Sequence, residues 1–133
     1  MQPTPHFLDK QLTELDFVRL QRLSASHTTA GLADLLADAD VVPGPQIAAE
    51  VITMYSQFEL EDRDSGERRV LAVCYPEDAE PSSGFISVLS PLGCSLIGLP
   101  AGAQVRWQTP TGERQGLVRA VLFQPEASGD YVT

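Results

Sequence analysis

Cations, histidine and cysteine are all scarce in this chain of 133 residues, and each scarcity removes a class of function. Nine Lys and Arg stand against 18 Asp and Glu, a net charge of −9, with the acid excess in both halves. Such a chain repels phosphate backbones, which argues against high-affinity nucleic-acid binding and favours a partner with basic patches. The two histidines, His6 and His27, fall in a proline-containing terminus and in a polar turn, with no cysteine or carboxylate at ligand spacing. Neither reads as a metal ligand or general base, so no metal and no cofactor is expected. Ser87 and Ser90 have no Gly-x-Ser-x-Gly elbow around them and no histidine in the second half of the chain to activate them, which leaves capping and turn chemistry as their reading. Cys74 and Cys94, each among apolar residues, read as small buried hydrophobes. No Walker sequence is present. No apolar run nears the roughly 18 residues of a membrane span, and MQPTPHF has neither the basic start nor the apolar core of a secretion signal. The expectation is a cytoplasmic, non-enzymatic protein.

What is present is enough apolar residue, 43%, to build a core. The most informative stretch is FISVLSPLGCSLIGL, residues 85 to 99. Phe85 to Leu89 read as a short strand bounded by Gly84. Ser90 before Pro91 reads as an N-cap with proline at the first helical position. Leu92, Leu96 and Leu99 then recur at helical spacing, and Gly98 is placed as a left-handed cap.

Before this stretch, residues 1 to 12 read as a loose or extended lead-in. Asp16 is the expected cap of a first helix carrying Phe17, Leu20 and Leu23 on one face. Leu32, Leu35, Leu36, Ala39 and Val42 make the stripe of a second, stopped by Pro43-Gly44-Pro45. Together they predict a helical hairpin with arms under about 20 Å. Its turn, Ser24 to Gly31, contains no carboxylate. Asp34 and Asp38 lie at i, i+4 on the second helix, where two carboxylates could share a divalent ion, though a solvated face opposite the leucine stripe is the stronger reading. From Val51 the period changes to two: Ile52, Met54, Ser56, Phe58 and Leu60 predict one long strand with one face in the core. Arg68 to Tyr75 predicts a strand paired with it, residues 76 to 84 a surface loop, Gln104 to Thr109 a fourth strand, and Arg114 to Phe123 a fifth. The fold expected is α+β, an antiparallel five-stranded sheet curled around one short helix, with a hairpin over residues 1–46 and the sheet domain over 47–133.

Ile86, Ser87, Val88, Ser90, Pro91, Leu92, Leu96, Ile97 and Gly98 resemble the signature of the carboxy-terminal domain of the Gre transcript-cleavage factors. Val51-Ile52-Thr53-Met54-Tyr55-Ser56, Tyr75-Pro76 and Gln124 to Tyr131 are similar to the bacterial regulators of nucleoside diphosphate kinase, which are related to the Gre factors. The resemblance implies an FKBP-like sheet domain. It also implies docking on the rim helices of the RNA polymerase secondary channel through Ser87, Leu89, Ser90, Pro91 and Leu92. Leu89 departs from the polar or acidic residue of the Gre pattern, and is either buried or an enlargement of an apolar contact. A regulator of nucleoside diphosphate kinase level or activity, acting on that enzyme by direct contact or on its expression, is the alternative that the second likeness implies. In the Gre factors, acidic residues at the tip of a long coiled coil hold catalytic magnesium; this hairpin departs in both reach and chemistry. Prolyl isomerase activity, suggested by the fold name, finds little support where only Phe85, Trp107 and Phe123 are aromatic between residues 80 and 125.

Overall fold

The computed structural model describes residues 10–27 and 29–131, so most of the expected lead-in, His6 included, lies outside the described residues. The first strand, β1 (Gln11–Thr13), runs directly into helix α1 (Glu14–Ser26). The cap is Thr13 rather than Asp16: Thr13 Oγ1 accepts from Asp16 N at 3.0 Å, which frees the Asp16 carboxyl to turn into the protein. Helix α2 (Ala30–Asp38) is capped in the same way by Thr29, whose Oγ1 accepts from Leu32 N at 3.2 Å. It stops short of Val42, contrary to the stripe. Asp40–Val42 form strand β2, parallel to β1 with Gln11 opposite Asp40. Two β-branched residues ahead of a proline prefer extended backbone, and the ladder to β1 satisfies it.

The two helices form the expected hairpin, and it lies against the rest of the molecule. Leu20, Leu32 and Leu35 are buried in the same cluster as Phe58, Val73 and Leu96. No described helix is long and apolar enough to cross a membrane.

The larger sheet has the order β5-β4-β3-β7-β6, built from β3 (Gln57–Asp62), β4 (Arg68–Cys74), β5 (Phe85–Ser87), β6 (Gln104–Thr109) and β7 (Gly112–Phe123). Pairs β3–β4, β3–β7 and β6–β7 are antiparallel, but β5 joins β4 in parallel, with Val73 opposite Ile86. The all-antiparallel expectation is thus corrected at one edge. Residues 75 to 84 are long enough to cross the end of the sheet and re-enter it in the same direction, through two single 3-10 turns. Leu60 faces Val118 and Phe58 faces Leu71 on the inner side, against helix α3 (Pro91–Leu96) with its buried Cys94 and Leu96.

The long strand predicted from Val51 is also shorter, because residues 51 to 56 follow an irregular path. Ser56 Oγ accepts from Thr53 N at 2.9 Å and Ser56 N donates to Thr53 O at 3.0 Å, a local ring that competes with a sheet ladder. Tyr55 is consequently left-handed, φ 68°. The alternation did predict which residues enter the core, since Ile52, Met54, Ser56, Phe58 and Leu60 are all buried; Thr53, expected on the outer face, is buried too.

Candidate functional site

The corner between β5 and α3 is built by two serines. Ser90 is extended (φ −71°, ψ 154°), and its Oγ both accepts from Gly93 N at 3.0 Å and donates to Ser87 O at 2.6 Å. Ser87 Oγ accepts from Leu89 N at 3.0 Å. Both hydroxyls are thus engaged in holding the turn, as their capping reading expected. Val88 is fully buried and its N–H donates to Cys74 O at 2.9 Å, which pins the turn to β4. Pro91 is exposed at the apex, while Leu89 and Leu92 are half-buried and pack on the core cluster. Leu89 therefore takes neither extreme.

At the far end of α3, Lys10 Nζ donates to Cys94 O at 3.1 Å and Ser95 O at 2.9 Å, satisfying carbonyls that the helix leaves open. Burial pulls the Lys10 ammonium below its ordinary value. Gly98 has φ +89° as a left-handed cap requires, and a Cβ there would come within 2.9 Å of Lys10 Cβ.

A groove of about 350 Å³ beside the corner is lined by Leu89, Ser90 and Pro91, by Thr29 and Gly31 at the start of α2, and by Arg106 to Gln108 of β6. Sequence reasoning missed three contributors. Gly93 carries the closest approach in the corner: a Cβ there would fall far inside contact with Ser87 O, 2.9 Å from Ser87 C and 3.0 Å from Ser90 Oγ. Trp107 and Arg106 sit on a strand that was legible, but nothing along the chain says that β6 lies beside residue 90.

The acidic pair lies beside this groove rather than in it. Asp34 and Asp38 are exposed and, with Lys10, line a neighbouring hollow of about 570 Å³ that shares Gly31 and Ser95 with the groove, while Asp38 is the last residue of α2. No group of three or more metal-ligating side chains occurs among the described residues. His27 is exposed after the last turn of α1.

The carboxylate most altered by its surroundings is one that the sequence offered only as a cap. Asp16, 2% exposed, accepts from Met54 N at 3.2 Å through Oδ2. Burial, with some repulsion from Glu126, raises its pKa to about 7 against the partial opposition of that hydrogen bond and of Arg19. The folded chain then holds a proton that the unfolded chain releases near 3.8, so this stabilisation is complete below about pH 3.8, declines between there and pH 7, and is gone above it. Asp16→Asn keeps an acceptor for Met54 N and cannot ionise. Its Tm relative to the parent is expected to be higher at pH 8 than at pH 5; a difference that does not vary with pH would disprove the assignment.

The pieces that suggested a family from sequence meet around this carboxylate. Thr53 Oγ1 donates to Glu126 Oε1 at 2.6 Å, Gln124 Nε2 donates to Ala48 O and Val51 O at 2.7 and 2.8 Å, and the Tyr55 and Tyr75 rings lie 5.9 Å apart. They are joints between distant segments.

Comparison with known proteins agrees with this geometry. Residues 47–122 match the family described as transcription elongation factor GreA/GreB, C-terminal. The chain is 34% identical over 128 residues to the regulator of nucleoside diphosphate kinase of Escherichia coli K12, covering 91% of this chain and 94% of that one. The transcription elongation factor GreA of Desulfovibrio desulfuricans is 36% identical over 78 residues, 59% of this chain and 48% of that protein. Among solved structures, a GreA/GreB elongation factor from Nitrosomonas europaea superposes with a TM-score of 0.74 at 31% identity, covering 90% of this chain and all of that one. GreA factor homolog 1 of Thermus thermophilus gives 0.50 at 25% identity, covering 85% and 98%. With the Ser-Pro corner, the curled sheet and the short hairpin all in place, the chain belongs to the bacterial regulator of nucleoside diphosphate kinase family, within the wider group that carries the GreA/GreB carboxy-terminal domain.

Proposed function

We propose that this protein is a cytoplasmic, non-enzymatic transcription regulator that docks on the secondary-channel rim of RNA polymerase. Residues 47–133, read as an FKBP-like domain, would dock through Ser87, Leu89, Ser90, Pro91 and Leu92, with residues 1–46 as a short helical appendage. The observation carrying this reading is the corner itself: an exposed proline held at the apex of a turn whose every strut is internal. A surface already rigid loses little entropy on binding. The name of the Escherichia coli relative supports a second reading, direct action on nucleoside diphosphate kinase. Retention of polymerase or of the kinase on the immobilised protein separates the two.

The appendage is short for cleavage chemistry. The 13 residues of α1 span about 20 Å and the nine of α2 about 13 Å. The turn between them lacks a carboxylate, while Asp34 and Asp38 sit back along α2. Two-metal chemistry tolerates little misplacement of a ligand. In a backtracked elongation complex the protein is expected to leave the transcript uncut and to slow cleavage by an added Gre factor. Cleavage by the protein alone, lost in Asp34→Ala or Asp38→Ala, would overturn this.

A further inference from the structure

The corner lines a groove that is also lined by β6, the last strand of its sheet, with no strand on its outer side among the described residues. We propose that this groove, and not the corner alone, is the docking surface, with Trp107 as its apolar wall and Arg106 as its charge contact to a carboxylate of the polymerase segment seated there. The proposal rests on the docking reading above and names the chemistry of the segment that fits it: an apolar side chain beside an acidic one.

Three observations carry it. Arg106 is the only charged residue among those lining the groove, is exposed, and forms no ion pair among the described residues. The arginines at 68, 114 and 119, by contrast, each meet an acidic neighbour. In a chain of net charge −9, an unpaired, exposed arginine on the strand that borders the groove selects for an acidic contact locally, whatever the overall field favours. Trp107, the chain's only tryptophan, is half-buried and lines this groove and also a second hollow, of about 280 Å³, that holds Leu92. It thus stands between two hollows that both border the first turn of α3. Its ring is held by a vacancy on the next strand. Val105 pairs with Gly116, and a Cβ on Gly116 would stand 3.3 Å from Trp107 Cζ3 and 3.1 Å from Leu60 Cδ1. A large aromatic laid over a cross-strand glycine is a fixed platform, and tryptophan and arginine are the side chains over-represented where interface energy concentrates.

The test is the affinity of the full chain for core RNA polymerase at low and moderate salt, with Tm recorded for each variant. Arg106→Glu and Trp107→Ala should each weaken binding about tenfold or more, the former more strongly at low salt, whereas Leu122→Ser, exposed on the far part of β7, should not change it. If Trp107→Ala does not fold, Arg106→Glu and the milder Trp107→Phe decide the matter. Parent-like binding by Arg106→Glu and the tryptophan variant, with binding lost in Pro91→Asp, would refute the groove and leave the corner reading intact. No binding by the parent protein would refute both.

Discussion

Pro91→Asp is expected to abolish practical docking on polymerase, costing about 2 kcal/mol or more, or about thirtyfold in Kd, while leaving the fold intact. The substitution separates the two effects unusually well. Pro91 is exposed at the first position of α3, where its missing N–H is not needed and an aspartate is electrostatically favoured by the helix dipole. Ser90 keeps its hydrogen bonds to Gly93 N and Ser87 O, so the corner should stand. What changes is the apex, where a charge replaces an apolar surface that the partner must desolvate. Affinity measured on a variant of parent-like Tm gives the answer; unchanged binding would remove the corner from the interface.

Gly93→Ala should be the most damaging single methyl group in the chain. Helix propensity alone would favour alanine by about 0.5 to 1 kcal/mol. The added Cβ, however, would drive into the Ser87 carbonyl that also accepts from Ser90 N and Oγ, and backbone cannot yield as a flexible side chain can. A net loss of about 3 kcal/mol is expected, lowering Tm by about 10 °C, with weakened docking as the corner opens. Gly66→Ala is the comparison: it too adds a methyl, at φ +74° but with nothing within 4 Å, and should cost only about 1 to 2 kcal/mol through backbone strain. Equal losses in the two variants would show that close packing at the corner is not the cause.

These predictions divide between what was legible along the chain and what was not. The Ser90 cap, proline at the first helical turn, the left-handed Gly98, the bounds of β6 and the inward set from Ile52 to Leu60 were all readable, because each follows from periodicity or from the backbone preference of a single residue. Structure departs from sequence where a segment's partner lies far away, and once where a local bond competes with the sheet ladder. A short acid before an apolar stripe reads as a cap at Asp16, but Met54, distant in sequence, supplies the donor that draws it inward. Val42 continues a helical stripe in sequence, but β1 offers it a parallel ladder. The strand from Val51 was broken by a side chain bonding within its own turn, and β5 became parallel because its loop is long enough to cross.

Local grammar is written along the chain: where helices and turns begin, which residues avoid water, the sign of the net charge, and the lack of a carboxylate in the hairpin turn. Only the fold brings Arg106 and Trp107 to the same groove as Pro91, leaves Gly93 no room for a side chain, and raises the pKa of Asp16 to about 7. The physical reason is range. Capping, proline geometry and hydrophobic period act over one to four residues, whereas close approach, desolvation and a shared groove depend on neighbours that only the folded chain assembles.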